Sequence, residues 1–158
     1  MSNIAKTELI YFSGKKAVIE RKKILQNLNL AITDMGYKII RNEDSSNDEK
    51  LVVIEHMDIF QILRENPGIN KLIFTSSSGI VSALKWFKQY LKVKNIYHKF
   101  SKGKKPLKSR IVLDEKKVNL VIVCSTSRRA ANRISFNELV EMYKNEIFLI
   151  LNSNFITI

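Results

Sequence analysis

The chain has 158 residues, enough for one domain around one core, and with 45% hydrophobic and 27% charged residues it is globular rather than disordered. The lone cysteine, Cys124, excludes an internal disulfide and a cysteine-built zinc or iron–sulfur site, and His56 and His98 show no metal-ligand spacing around them. A formal net charge of +12 points to a polyanionic partner, nucleic acid first and an anionic membrane surface second, although solubility or a bias towards Lys, Asn and Ile produces the same balance.

In chain order, Met1 to Glu8 carry no apolar stretch after a basic start, so no signal peptide is expected. Val18 to Leu28 reads as a helix, with Ile19, Ile24, Leu25 and Leu28 on an apolar stripe. Leu30 to Thr33 is a short apolar run ending at Asp34, and Tyr37 to Ile40 suits an extended segment. Asn42 to Lys50 is polar and reads as a loop. Leu51 to Ile54 is a short β-branched strand. Asp58 can cap a helix from about Ile59 to Glu65, ended by Asn66-Pro67-Gly68.

Lys71 to Thr75 predicts another strand, followed by Ser76-Ser77-Ser78-Gly79 and a helix from about Ile80 to Leu91. That helix has Leu84, Phe87 and Leu91 on its core side and Lys85, Lys88 and Lys92 towards water. Ser109 to Leu113 and Val118 to Val123 flank Asp114-Glu115-Lys116-Lys117, the pattern of a β-hairpin with a four-residue loop. A last helix is expected from about Phe136 to Asn145, with Ile147 to Leu151 an apolar run beyond it. No apolar run approaches a membrane span.

Strands alternating with helices predict an α/β fold. The expectation is a single three-layer domain over residues 1–158, with a central, mostly parallel sheet of about four strands flanked by helices. No metal or cofactor is expected, and a cytoplasmic, nucleoid-associated monomer is the simplest picture.

The charge is concentrated. Lys85 to Lys117 hold twelve Lys and Arg against Asp114 and Glu115, a net of +10 out of +12 for the whole chain. The centre of this stretch is Lys99, Lys102, Lys104, Lys105, Lys108 and Arg110, with Tyr97, His98 and Phe100 interleaved. Lysines there can neutralise phosphates and aromatic rings can stack on bases; the alternative is a solvated loop that binds nothing.

Two segments place small hydroxyl residues at a strand end, where open α/β sheets bind ligands. Thr75 and Ser76 of the first are candidates for a base pocket, and the second is Val121 to Asn132. A helix start behind such a loop offers free N–H groups to an anion, but Ser-rich strand ends are also ordinary helix caps. Neither segment fits the glycine-rich nucleotide motifs. Asp34 suits a helix cap or a side chain aimed into a cleft. Ser125 with either histidine makes no recognisable nucleophile elbow.

Three stretches carry a family resemblance. Leu28-Asn-Leu-Ala-Ile-Thr-Asp34, Leu51-Val-Val-Ile54 and Leu63-Arg-Glu-Asn-Pro-Gly-Ile-Asn-Lys-Leu-Ile-Phe-Thr75 resemble, in this order, the uracil-DNA glycosylase superfamily, most closely its mismatch-specific and hypoxanthine-type branches. The hairpin from Arg110 to Val118, leading into Val123-Cys-Ser-Thr-Ser-Arg-Arg-Ala-Ala-Asn132, is similar to the region of the family's second signature. The resemblance covers roughly Ile24 to Ile147. The family's first signature, Gly-x-Asn-Pro or Gly-x-Asp-Pro, has no counterpart; Leu9 to Gly14 is the nearest stretch, and the expectation is that this region has been lost. Cys124 stands where the second signature has proline, and Arg128-Arg129 interrupt its Ser-Pro-Ala-Asn.

The resemblance implies a DNA-repair glycosylase that flips a deaminated or mismatched base, of the uracil or hypoxanthine class, out of DNA and hydrolyses its N-glycosidic bond. It implies that Asp34 reads the base, that Ser125, Thr126 and Ser127 press on the flipped nucleotide, and that Arg128, Arg129 and Asn132 grip flanking phosphates or fill the vacated stack. The alternatives are a glycosylase-like fold that holds nucleic acid without cutting it, and an unrelated α/β protein for a small anionic ligand.

Overall fold

The computed structural model describes residues 8–42, 50–79, 81–127 and 134–153, with side chains as far as Ile147. Its elements in chain order are α1 (Gly14–Asn27), β1 (Gly36–Arg41), β2 (Leu51–His56), α2 (Ile59–Glu65), β3 (Lys71–Phe74), α3 (Ala83–Val93), β4 (Leu107–Leu113), β5 (Lys116–Ile122) and α4 (Phe136–Ser153). They fall into two compact units. One draws on Met1–Thr33 and Ile134–Ile158, and the other is Asp34–Arg133.

In the first unit, α1 buries Ala17 and Ile24. The Glu20 carboxylate accepts the N–H groups of Ile10 at 2.9 Å and Tyr11 at 3.2 Å, which ties the preceding chain back to the helix. Asn29, at φ 49°, ends α1: its N–H reaches the Gln26 carbonyl at 3.0 Å and the Leu30 N–H reaches Leu25 at 2.8 Å. This paired left-handed stop satisfies carbonyls that the helix end would otherwise leave open. Helix α4 starts with a reciprocal cap. Ser135 Oγ accepts the Glu138 N–H at 3.3 Å, and the Glu138 carboxylate accepts the Ser135 N–H at 3.0 Å. The predicted helix from Phe136 and the apolar run beyond Ile147 are one continuous helix.

The second unit holds two small sheets. β1 and β2 form an antiparallel ribbon, with Ile40 opposite Val52. The other sheet has the order β3-β5-β4, with β3 parallel to β5 and β4 antiparallel to it. Helix α2 begins as expected at Asp58, whose Oδ1 accepts the N–H groups of Phe60 and Gln61. Helix α3 begins at Ser82, which accepts the Lys85 N–H. The core joins Phe87 of α3 to Phe74 of β3, ring centroids 4.9 Å apart, and to Leu113, Val118 and Leu120 of the hairpin.

Gly36 sits where the ribbon meets α3. A Cβ there would lie 3.0 Å from the Trp86 ring and 2.7 Å from an Ile39 methyl, so glycine permits this approach.

The expected central, mostly parallel sheet of about four strands with flanking helices is not the observed architecture. Among the described residues only β3 and β5 pair in parallel. Buried parallel strands are apolar on both faces, but Val52 and Ile54 of β2 are exposed, and among the described residues that strand pairs with β1 alone. The β4–β5 turn then fixes an antiparallel edge. The hairpin itself was legible, but Leu113 pairs with Lys116, so its loop is Asp114-Glu115 rather than four residues. Both loop residues have positive φ, 51° and 66°, as a two-residue turn matched to strand twist requires.

Candidate nucleic-acid interface

Helix α3 is amphipathic. Leu84, Phe87, Tyr90 and Leu91 are buried, while Lys85, Lys88 and Lys92 face water. It ends on the same left-handed stop as α1: Asn95 has φ 56°, and the Ile96 N–H reaches the Leu91 carbonyl at 2.8 Å. The stop turns the chain back along α3 as an irregular segment from Ile96 to Gly103.

Side chains pin that segment to β4 and α3. His98 Nε2 lies 3.0 Å from Ser109 Oγ, and Ser101 Oγ donates to the Lys108 carbonyl at 2.7 Å. Phe100 meets Phe87 edge-on at 6.4 Å and His98 at 4.7 Å, and Lys88 Nζ lies 4.8 Å from its ring centroid. Burial holds the His98 imidazole below its ordinary pKa, so it is neutral at pH 7.

The result is an open groove of about 910 Å³ within the second unit. Its apolar side includes Leu84, Leu91, Ile96, Phe100, Leu107 and Ile122, and its cations are Lys88, Lys92, Lys99 and Lys102. Among the described residues no carboxylate lines it, and none of these four lysines is held in an ion pair. Tyr97 stands at its edge with 91% of its surface exposed. Such a slot can neutralise phosphates and offer a ring face to a base.

The remaining predicted residues are dispersed. Lys104 is exposed and Lys105 half-buried, both in the chain leading from the groove to β4. Arg110 is exposed on β4 and donates from Nε to Asn119 Oδ1 at 3.1 Å. Thr75 is exposed after β3. Ser76 Oγ accepts the Ala83 N–H at 2.9 Å, and its carbonyl accepts the Leu84 N–H, so it works as a cap for α3. Ser125 Oγ accepts the Ser127 N–H at 3.1 Å, a local turn, and Thr126 and Ser127 are exposed. Asp34 is exposed in the coil before β1, and neither it nor Ser125 lines the groove. Arg128, Arg129 and Asn132 lie outside the described residues.

Sequence reasoning found the aromatic–lysine segment but missed Lys88 and Lys92 as its opposite wall. Their i, i+4 spacing on the outer face of α3 was the available signal.

Among the described residues no group of three or more His, Cys, Asp or Glu is placed to hold a metal ion, and no helix is long and apolar enough to cross a membrane. Comparison with protein-family models, curated proteins and solved structures returns no match.

Proposed function

We propose that the Asp34–Arg133 unit binds nucleic acid through the groove between α3 and the segment Ile96–Gly103. The observation that carries this reading is the groove's composition. Among the described residues, four lysines free of ion pairs line an apolar slot that includes Phe100 and has no acidic side chain in its wall. Unpaired lysines around a concavity raise the local potential and attract phosphate, and their release of counterions makes binding salt-dependent.

The test is fluorescence anisotropy of a labelled oligonucleotide at rising salt. Log affinity should fall linearly with log salt. Reversing Lys92, Lys99 and Lys102 together to Glu should reduce the slope by on the order of two units or more if each meets one phosphate. A slope identical to the parent's would remove the groove from the interface. Base excision, which the resemblance implied, is read from the same samples with uracil- and hypoxanthine-containing duplexes and alkaline cleavage of any abasic product. Binding without cleavage is expected, because Asp34 and Ser125 stand outside the groove.

A further inference from the structure

Resting on that reading, we infer that the groove takes an unpaired strand, DNA or RNA, and that one base stacks on Tyr97. The aromatic groups of the segment have different tasks. Phe100 is committed to the fold: its ring meets Phe87 and His98 edge-on, and Lys88 covers it at 4.8 Å. His98 is held by Ser109. Among the described residues Tyr97 makes no such contact, and it is 91% exposed, although large aromatic rings usually bury most of their surface.

Its place in the chain gives this exposure a use. Tyr97 comes one residue after Ile96, whose N–H, with that of Asn95, closes the end of α3, so the turn sets where the chain leaves the helix just before the ring. Lys99 and Lys102 follow it, and Lys92 precedes it on α3, all three lining the same groove. A ring face bordered by cations on a concave wall matches the alternation of base and phosphate along a single strand. A duplex keeps its base faces stacked inside, so it engages the lysines through its phosphates and leaves the Tyr97 ring no face to stack on.

The volume is consistent with this occupant. At about 910 Å³ the groove lies near the top of the range of pockets that engulf small organic ligands, which suits a short run of nucleotides entering it. An anionic membrane or a sulfated polysaccharide would use the same lysines, but neither carries a base to stack.

The experiment compares four probes on the full chain: an oligo-dT, an oligo-rU of equal length, a duplex of equal length, and heparin as competitor. Both single strands should bind about tenfold or more tighter than the duplex. They should bind alike, since lysines and ring meet groups that both carry. Tyr97→Ala should weaken single-strand binding about tenfold, Tyr97→Phe should retain it, and heparin affinity should not change. Folding is checked by circular dichroism, and no loss is expected from so exposed a ring.

Duplex binding as tight as single-strand binding, or single-strand affinity indifferent to Tyr97→Ala, would overturn this inference and leave the nucleic-acid reading standing. A loss of heparin affinity equal to the loss for oligo-dT would also overturn it, because the ring would then act on the lysines rather than on a base. Failure of every polynucleotide to bind at low salt would overturn both.

Discussion

The Tyr90 hydroxyl donates to Asp58 Oδ1 at 2.9 Å while accepting the Phe60 N–H at 3.1 Å, so one residue of α3 completes the N-terminal cap of α2. Lys94 adds a charge at 3.6 Å from Asp58 Oδ2. The pair fixes the helix that carries one wall of the groove. Asp58→Ala should cost about 0.5–2 kcal/mol, as the loss of a helix cap does. Tyr90→Phe should cost about 0.5–1.5 kcal/mol for its hydrogen bonds. Urea unfolding of both and of the double variant should give a double-variant cost smaller than the sum, because each substitution removes the same contact.

The same cluster sets an acid response. Desolvation pushes the Asp58 carboxyl up, but the Gln61 N–H, the Tyr90 hydroxyl, the Lys94 charge and the Phe60 N–H together hold it below its ordinary value of 3.8. Its stabilising contribution is therefore complete above about pH 4, where the unfolded carboxyl is ionised too, and is lost as pH falls through the lower native value. Tyr90, pushed up to about 12 by burial and by Asp58, stays a hydroxyl donor across this range.

His98 acts earlier. Burial holds it below 6.5 in the folded state, so the unfolded chain binds more protons once pH drops below that value, and stability falls with pH. Thermal melts from pH 7 to 3 should show one decline starting near pH 6.5 and a second below about pH 4. His98→Gln should remove the first and Asp58→Asn should flatten the second.

Glu115 stands at φ 66° in the β4–β5 turn, where a side chain is strained and glycine is not. Glu115→Gly should raise stability by about 0.5–1 kcal/mol, and Asp114 should be kept because its carboxylate holds Arg64 at 2.8 Å. At Gly36 the direction reverses. Gly36→Ala forces Ile39 and Trp86 apart and should cost about 1–3 kcal/mol in the same urea titration.

Local chemistry was the legible part of this sequence. Asp58 before Ile59, Leu84 with Phe87 and Leu91, and the hairpin around Asp114 each declare themselves within a few residues. Pairing between distant strands was not local. Leu51-Val-Val-Ile reads as a short β-branched strand, but its residues do not say which strand it pairs with: it joins β1 in an antiparallel ribbon, and Val52 and Ile54 face water. The groove was half legible: its aromatic–lysine segment is contiguous, whereas Lys88 and Lys92 join it only after Asn95 turns the chain back.

The most direct test of the central claim is ultraviolet cross-linking of the protein to an oligo-dT, followed by peptide mapping of the adducts. The groove reading predicts adducts concentrated between Lys92 and Gly103, centred on Tyr97, and suppressed by the Lys92, Lys99 and Lys102 charge reversal. Adducts confined to other peptides, or unaffected by that reversal, would contradict it.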